Sequence, residues 1–365
     1  FIEKAKEESV QTILAQVELK QKGKLDKVYV TGCLSQRYRD DLAREIPEVD
    51  AWFGTMELPQ LLKRFKADYK AELVGERLLA TPAHYAYLKI AEGCNRTCSF
   101  CAIPLMRGGF RSRPMEELVQ EARQLVKKGV REILLIAQEL TYYGLDLYQS
   151  RALPELLRRL SDVEGLRWIR LHYAYPHKFP LEVLAVMNER ANICKYLDMP
   201  LQHASDPLLQ AMRRQITRAD MERLLQTIRE QVPGICLRTT FIAGFPGETL
   251  NHIEELKAFL LHQQFDRVGV FTYSHEEGTT AYELPDTIPA EEKERRAQEI
   301  MDVQQEISFE KNQQKVGQTL EVMVDKQEAG RYLGRTEFDS VEVDNEVIIY
   351  SSRPLEPGEF VQVRI

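Results

Sequence analysis

YLKIAEGCNRTCSFCAIP, residues 87–104, is the stretch from which the rest of the chain can be read. Its apolar start has the look of a strand, and Gly93 and Pro104 bracket a loop holding Cys94, Cys98 and Cys101 in the spacing C-x3-C-x2-C. Cysteine thiolates hold iron-sulfur clusters, usually four to a cubane, so three closely spaced ligands leave one iron without a protein ligand. Such an open iron can chelate the amino and carboxylate groups of S-adenosylmethionine and pass an electron to its sulfonium, releasing a 5′-deoxyadenosyl radical. Two plainer readings stand beside this one: structural zinc, which wants a fourth Cys or His nearby, and three buried cysteines without function. No His lies between Cys94 and Cys101, and His84 is on the far side of the strand.

Outward from this loop, apolar runs alternate with amphipathic helical segments. The runs are YLKIAEG, EILLIAQE, WIRLHYAYP, YLDMPLQ, CLRTTFIAGF and RVGVFTYS. Strands spaced by helices predict βα units and a parallel sheet. Six strands are too few for an eight-stranded barrel, so the spacing predicts an open partial barrel whose working end is the C-terminal edge of its strands. Upstream, KVYVTGC, VDAWFG and ELPQLLKRF read as a small α/β unit that runs into a polar linker near Lys70–Ala83. Downstream of a charged helix over Ala290–Gln314, the runs TLEVMVDK, YLGRT, SVEVDNEVIIY and FVQVRI predict a small antiparallel barrel of the OB kind. The expected fold class is therefore α/β: an incomplete N-terminal α/β unit over 1–75, a partial six-stranded barrel over 84–300, and the small β-barrel over 315–365.

With 365 residues, 44% of them hydrophobic, the chain has enough apolar material for two or three cores. A net charge of -7 argues against a polyanion wrapped over the whole surface. No 18-residue apolar run is present, so no membrane association is expected. The clustering of half of the six cysteines suits a metal site in a reducing compartment, which points to the cytoplasm. The chain opens at Phe1 already in helical periodicity, and we expect a fragment whose upstream strand is missing.

The extended string AEGCNRTCSFCAIPLMRGGFRSRP resembles the radical S-adenosylmethionine methylthiotransferase family, and the resemblance covers nearly the whole chain. It implies an N-terminal domain with a second 4Fe-4S cluster, a central radical SAM domain binding one 4Fe-4S cluster with S-adenosylmethionine, and a C-terminal TRAM domain. IAQELTYYG stands where such enzymes contact the methionyl amino group, which implies Gln138 and Glu139. TTFIAGFPGET resembles the adenine-side motif, with Gly244, Pro246 and Gly247 shaping a wall and Thr249 starting a helix. LQHAS implies a ribose contact from Gln202, while His203 is as readily a cap or packing residue. Cys33, in VTGCLSQRY, resembles the third of three cysteines holding the second cluster, the other two lying upstream. Arg107, Arg111 and Arg113 are either a solvated loop or a basic group near the cluster. Cys194 and Cys236, in apolar strands, read as packing residues.

Within the family, AEGC, CSFCAIP, YLDMPLQHASD and GRTEFDSVEVDNEV are similar to the branch that modifies an aspartate β-carbon of ribosomal protein S-twelve; the alternative branch modifies a tRNA adenosine. Residues 317–365 hold ten acids against five bases. That balance suits a basic protein partner better than a phosphate backbone, which draws on Lys and Arg, and no stable nucleic-acid binding is expected. Asp339, Glu342, Asp344 and Glu346 lie at near-alternating positions, so several of them are expected to share one strand face that steers this partner. The resemblance also implies an electron donor such as flavodoxin or ferredoxin. A third reading, from another class, is a non-catalytic metal-stabilised RNA-binding protein.

Overall fold

The computed structural model describes residues 3–66 and 78–365, so the expected linker lies outside the described residues as far as position 77. The chain begins with helix α1 (Glu3–Gln21), followed by β1 (Tyr29–Thr31), α2 (Cys33–Glu45), β2 (Ala51–Phe53) and α3 (Leu58–Arg64). Strands β1 and β2 are parallel, joined through α2, and α1 lays Ile13 and Val17 on Val28, Leu34, Ile46 and Val49 to make a small separate core.

Six strands then lie side by side in chain order, all parallel: β3 (Tyr85–Lys89), β6 (Glu132–Ile136), β7 (Trp168–Leu171), β8 (Ile193–Asp198), β9 (Cys236–Ala243) and β10 (Arg267–Thr272). A two-residue pair, β4 (Ala91–Glu92) with β5 (Arg111–Ser112), closes the loop after β3. Helices α4 (Ile103–Arg107), α5 (Met115–Lys127), α6 (Leu153–Ser161), α7 (Glu182–Glu189), α8 (Asp206–Ala211), α9 (Arg218–Gln231), α10 (Leu250–Gln263) and α11 (Ala290–Gln313) complete this region. Alternate residues of a strand point to opposite faces. One face, with Ala86, Leu88, Ile133, Leu135, Ile169, Leu171, Leu237 and Phe241, packs in one apolar core with helix residues such as Leu118, Ala122 and Leu125 of α5. The other carries Tyr85, Glu132, Arg170, Tyr196, Arg238 and Arg267, too polar to be left in a dry lumen without partners.

The C-terminal sheet supplies them. Its strands β11 (Thr319–Glu328), β12 (Arg331–Thr336), β13 (Val347–Ile349) and β14 (Phe360–Arg364) are antiparallel in the order β13-β12-β11-β14, with a bulge between Val324 and Lys326. This sheet covers the N-terminal ends of the barrel strands. Met323 joins Trp168, Cys194, Tyr196 and Cys236, so both of these cysteines are packing residues as expected. Arg335 from β12 lies 2.8 Å from Glu132 and 2.8 Å from Asp325, while Asp325 also meets His84, the residue before β3. Glu132 and Arg170 pair at 2.7 Å with both side chains at 0% exposure.

One expectation fails here. SVEVDNEV is not a strand: residues 337–346 form turns, and only Val347–Ile349 pairs. Local hydrogen bonding overrides the alternation, since the Thr336 hydroxyl donates to Asp339 and accepts from the Phe338 N–H. Asp339, 3% exposed, pairs with Arg267. Asp344 accepts from the Tyr196 hydroxyl at 2.8 Å and faces Arg238. Ser340 meets His172 at 3.0 Å. The loop therefore enters the barrel lumen, and only Glu342 and Glu346 of the four acids are exposed.

Burial by itself would raise the Glu132 carboxyl; the charges of Arg170 and Arg335 outweigh it and hold it below the ordinary carboxylate range. A carboxylate depressed in the folded state stabilises above its unfolded pKa, and that contribution is lost as pH falls through the depressed value. Glu132→Gln, which leaves two buried guanidiniums short of a counter-charge, is expected to cost about 3–5 kcal/mol, measured as a lowered urea midpoint at neutral pH. An unchanged midpoint would show that the network is not what joins the two parts.

Candidate iron-sulfur and cofactor site

The loop bearing the three cysteines is built by hydrogen bonds to its own base. β4 and β5 tie its ends, Cys94 N donates to Gly108 O at 3.1 Å, and Asn95 Oδ1 accepts from Phe110 N at 2.9 Å. Gly93 has φ 77°, and a Cβ there would stand 2.2 Å from Gly109 O and 2.6 Å from Gly108 O. Its N–H donates to Gln138 Oε1 at 2.9 Å, so a residue two positions beyond the end of β6 sets the start of the cysteine loop. Pro104 lies in the first turn of α4, where its missing N–H costs nothing.

All three cysteines are free thiols. Burial pushes Cys94 up to about 11, against the opposing backbone N–H of Arg96, and burial raises Cys101 as well. These thiols become thiolates when a metal takes their protons. Among the described residues no three His, Cys, Asp or Glu side chains converge on a point, as a single zinc ion requires. A cubane is wider than one ion and takes its thiolates at separate corners, so the three need not converge on a point.

Around the loop stands a stack that sequence reasoning missed. Arg96, between the first two cysteines, lies over the rings of Tyr142 at 3.9 Å and Tyr175 at 3.8 Å. Its Nε and Nη2 donate to Glu139 at 3.0 and 2.7 Å, and its backbone N–H reaches Cys94 Sγ at 3.4 Å. Glu139 Oε1 accepts from both the backbone and the hydroxyl of Thr141. On the opposite side Arg214 lies 4.2 Å from Tyr175 and donates to Cys98 Sγ at 3.3 Å. Arg96 sits inside the motif and was open to notice; Arg214 follows β8, far along the chain, with no local signal.

The remaining predicted residues also follow strand ends on this side. Gln202 has φ 76°, pairs through its backbone with Thr240 and Ile242, and keeps a buried side-chain oxygen without a partner. His203 is fully buried; its Nδ1 accepts from Ala204 N and Ser205 N, and its Nε2 faces Glu248 at 3.5 Å, which makes it a turn-former rather than a lining residue. Gly244 (φ 81°) donates to Glu248, and a Cβ there would run into Lys293 of α11 at 2.2 Å, so side-chain packing already demands this glycine. Gly247 (φ 84°) faces open space, with Pro246 buried beside it. Thr249 caps α10. Arg107 and Arg113 pair with Glu92 and Glu121, leaving Arg111 exposed.

Cys33 opens α2, which packs on α4, the helix after Cys101. Thr55 Oγ1 donates to Met106 O at 2.7 Å, and Arg37 and Lys6 clamp Glu276 after β10. The N-terminal unit thus covers the same mouth of the barrel as the three cysteines.

Comparison with known proteins agrees with this architecture. The Radical SAM superfamily model matches residues 88–260, the TRAM domain model 316–365, and Uncharacterized protein family UPF0004 residues 1–54. Among solved structures, the cobalamin-dependent S-adenosylmethionine radical enzyme OxsB, with aqua-cobalamin and S-adenosylmethionine bound, superposes with a TM-score of 0.54 at 13% identity. It covers 83% of this chain while the chain spans 46% of it, a likeness of fold alone. The fold and site define a radical SAM protein with a TRAM domain. Sequence relatives narrow this further: ribosomal protein uS12 methylthiotransferase RimO of Cytophaga hutchinsonii is 58% identical, that of Porphyromonas gingivalis 54% and that of Chloroherpeton thalassium 53%. Each matches 100% of this chain, which spans 84% of the first and 85% of the other two. The chain belongs to the RimO family of ribosomal protein uS12 methylthiotransferases.

Gly93→Ala should lose most of its iron after anaerobic reconstitution while keeping its far-UV circular dichroism, because the added methyl meets backbone oxygens that cannot move aside. Normal iron content in the variant would rule out the tight loop as a requirement.

Proposed function

We propose that this chain methylthiolates an aspartate β-carbon of ribosomal protein uS12, with one 4Fe-4S cluster on Cys94, Cys98 and Cys101. The observation that carries this is the three-cysteine loop at the C-terminal mouth of a six-stranded parallel barrel, in a chain 58% identical over its whole length to a uS12 methylthiotransferase. When bound, the cluster and S-adenosylmethionine supply a 5′-deoxyadenosyl radical that takes hydrogen from a carbon no side-chain base can deprotonate.

The chain's residues hold and orient. Gln138, already fixed to Gly93, stands beside the cysteine loop to meet the methionyl end of the cofactor, and Glu139 positions Arg96 there. The unpartnered buried oxygen of Gln202 is suited to accept from a ribose hydroxyl. Gly244, Pro246 and Gly247 form the turn proposed for the adenine side. Cys33 would be one ligand of a second 4Fe-4S cluster over the same mouth; as the one cysteine in residues 1–93, it does not hold a cluster by itself. A one-electron carrier of the flavodoxin or ferredoxin kind is the proposed reductant. Among the described residues no helix is long and apolar enough to cross a membrane. We place the reaction in the cytoplasm, where thiols stay reduced.

Anaerobic reconstitution of this 365-residue chain should give about four irons, one cubane's worth, and with a low-potential reductant it should convert S-adenosylmethionine to 5′-deoxyadenosine. Cys94→Ala is expected to abolish both. A single tightly bound zinc in the wild type, with normal iron in the variant, would defeat the assignment. Mass spectrometry of uS12 and of tRNA incubated with chain extended at its N-terminus by the relatives' sequence decides the substrate: methylthiolated adenosine with unmodified uS12 would reverse it.

A further inference from the structure

Arg214 is a buried cation without a carboxylate in ion-pairing range among the described residues. The residue is 3% exposed, and its side-chain partners among the described residues are a sulfur and a backbone carbonyl rather than a carboxylate. Arg96, on the other face of the Tyr175 ring, has Glu139 for this purpose at 2.7 Å. Arg214 instead donates through Nη1 to Cys98 Sγ at 3.3 Å and through Nη2 to Pro200 O at 2.5 Å, while its Nε, buried, has no partner. An uncompensated charge out of water is costly enough that proteins pair it or place it against a bound anion. A neutral thiol does not provide that anion. Cys98 as a thiolate in a cluster of net negative charge does.

We propose that Arg214 is the built-in counter-charge of the cluster: a positioning residue that donates a hydrogen bond to the Cys98 sulfur and raises the cluster's reduction potential. The inference rests on the assignment of Cys98 as a cluster ligand. Reduction adds one negative charge to the cluster, and a fixed cation with an N–H aimed at a ligand sulfur stabilises the reduced form more than the oxidised form. The stack makes the cation hard to displace. Tyr175 lies with one guanidinium 3.8 Å from its ring and the other at 4.2 Å, and its hydroxyl donates to Arg214 O at 2.9 Å while standing 3.7 Å from Cys98 Sγ. The ring therefore fixes the backbone of Arg214 and the side chains of both arginines at once. Arg214 has φ in the ordinary range, but its neighbours Arg213 and Gln215 are left-handed at 56° and 58°, so the segment following α8 takes up a conformation unusual for non-glycine residues to bring one side chain to the sulfur.

The test is an EPR-monitored redox titration of reconstituted protein without S-adenosylmethionine, with iron counted on each sample. Arg214→Met, of similar length without donors or charge, should keep its iron yet show a reduction equilibrium about tenfold less favourable, a midpoint lower by ~59 mV. Arg214→Lys, which restores the charge but not the planar fork, should recover part of the shift. A wild-type midpoint in a fully loaded Arg214→Met protein overturns the proposal, as does loss of iron from both variants, which would make the residue a scaffold only. Should Arg214→Met alone lose iron, Tyr175→Phe reads the same quantity by deleting one hydroxyl: a lowered midpoint supports the proposal and an unchanged one overturns it. Absence of any cluster from the wild type would sink the cluster assignment itself, a result distinct from each of these.

Discussion

Six parallel strands do not close a barrel, and the polar lumen they leave has to be filled from somewhere else. The ion pairs among Glu132, Arg170, Arg335 and Asp325 meet that constraint, because two of these groups belong to the barrel and two to the C-terminal sheet. Buried charges of this kind are weak as a source of stability but severe as a condition: each is tolerable only while the others are in place. The C-terminal sheet is thus bound to the N-terminal ends of the strands, and its loop over residues 337–346 fills the lower lumen with Asp339, Ser340 and Asp344. The upper mouth is left for chemistry.

At that mouth the chain uses the opposite economy. Instead of balanced ion pairs it stacks two guanidiniums on one tyrosine ring, compensates Arg96 with Glu139, and leaves Arg214 facing a cysteine sulfur. The N-terminal unit then covers the same mouth through Arg37, Lys6 and Thr55, which brings the α2 terminus bearing Cys33 to the side of the cysteine loop. Every group proposed to handle the cofactor follows the C-terminal end of a strand, where open α/β sheets bind ligands.

The six strands were legible in the sequence because each is a long apolar run separated by a helix, a pattern that leaves little choice of topology. The cysteine loop was legible because its spacing is local. The acidic run 339–346 was misread for a related reason: alternation of acids suggested a strand face, while the Thr336 hydroxyl bonds that turn the chain are side-chain chemistry that alternation does not report. His203 was left between cofactor and packing roles, and its two backbone donors at Nδ1 decide for packing. Arg214 was invisible, since its sulfur partner lies 116 residues away and nothing in AMRRQIT distinguishes it from the exposed Arg213.

The glycine motif after β9 shows why a familiar string does not by itself identify what it touches. Gly244 is required by Lys293 lying against it, and Glu248 gathers the Gly244 N–H, the Arg296 guanidinium and the His203 ring into one buried cluster. Helix α11 therefore holds the motif from behind, through residues some fifty positions later in the chain than the turn they shape. Gly247 faces open space, so its positive φ, and not a neighbouring side chain, is what asks for glycine there. The two glycines look equivalent in GFPG; the first is held by a neighbouring side chain, and the second answers to its backbone conformation alone.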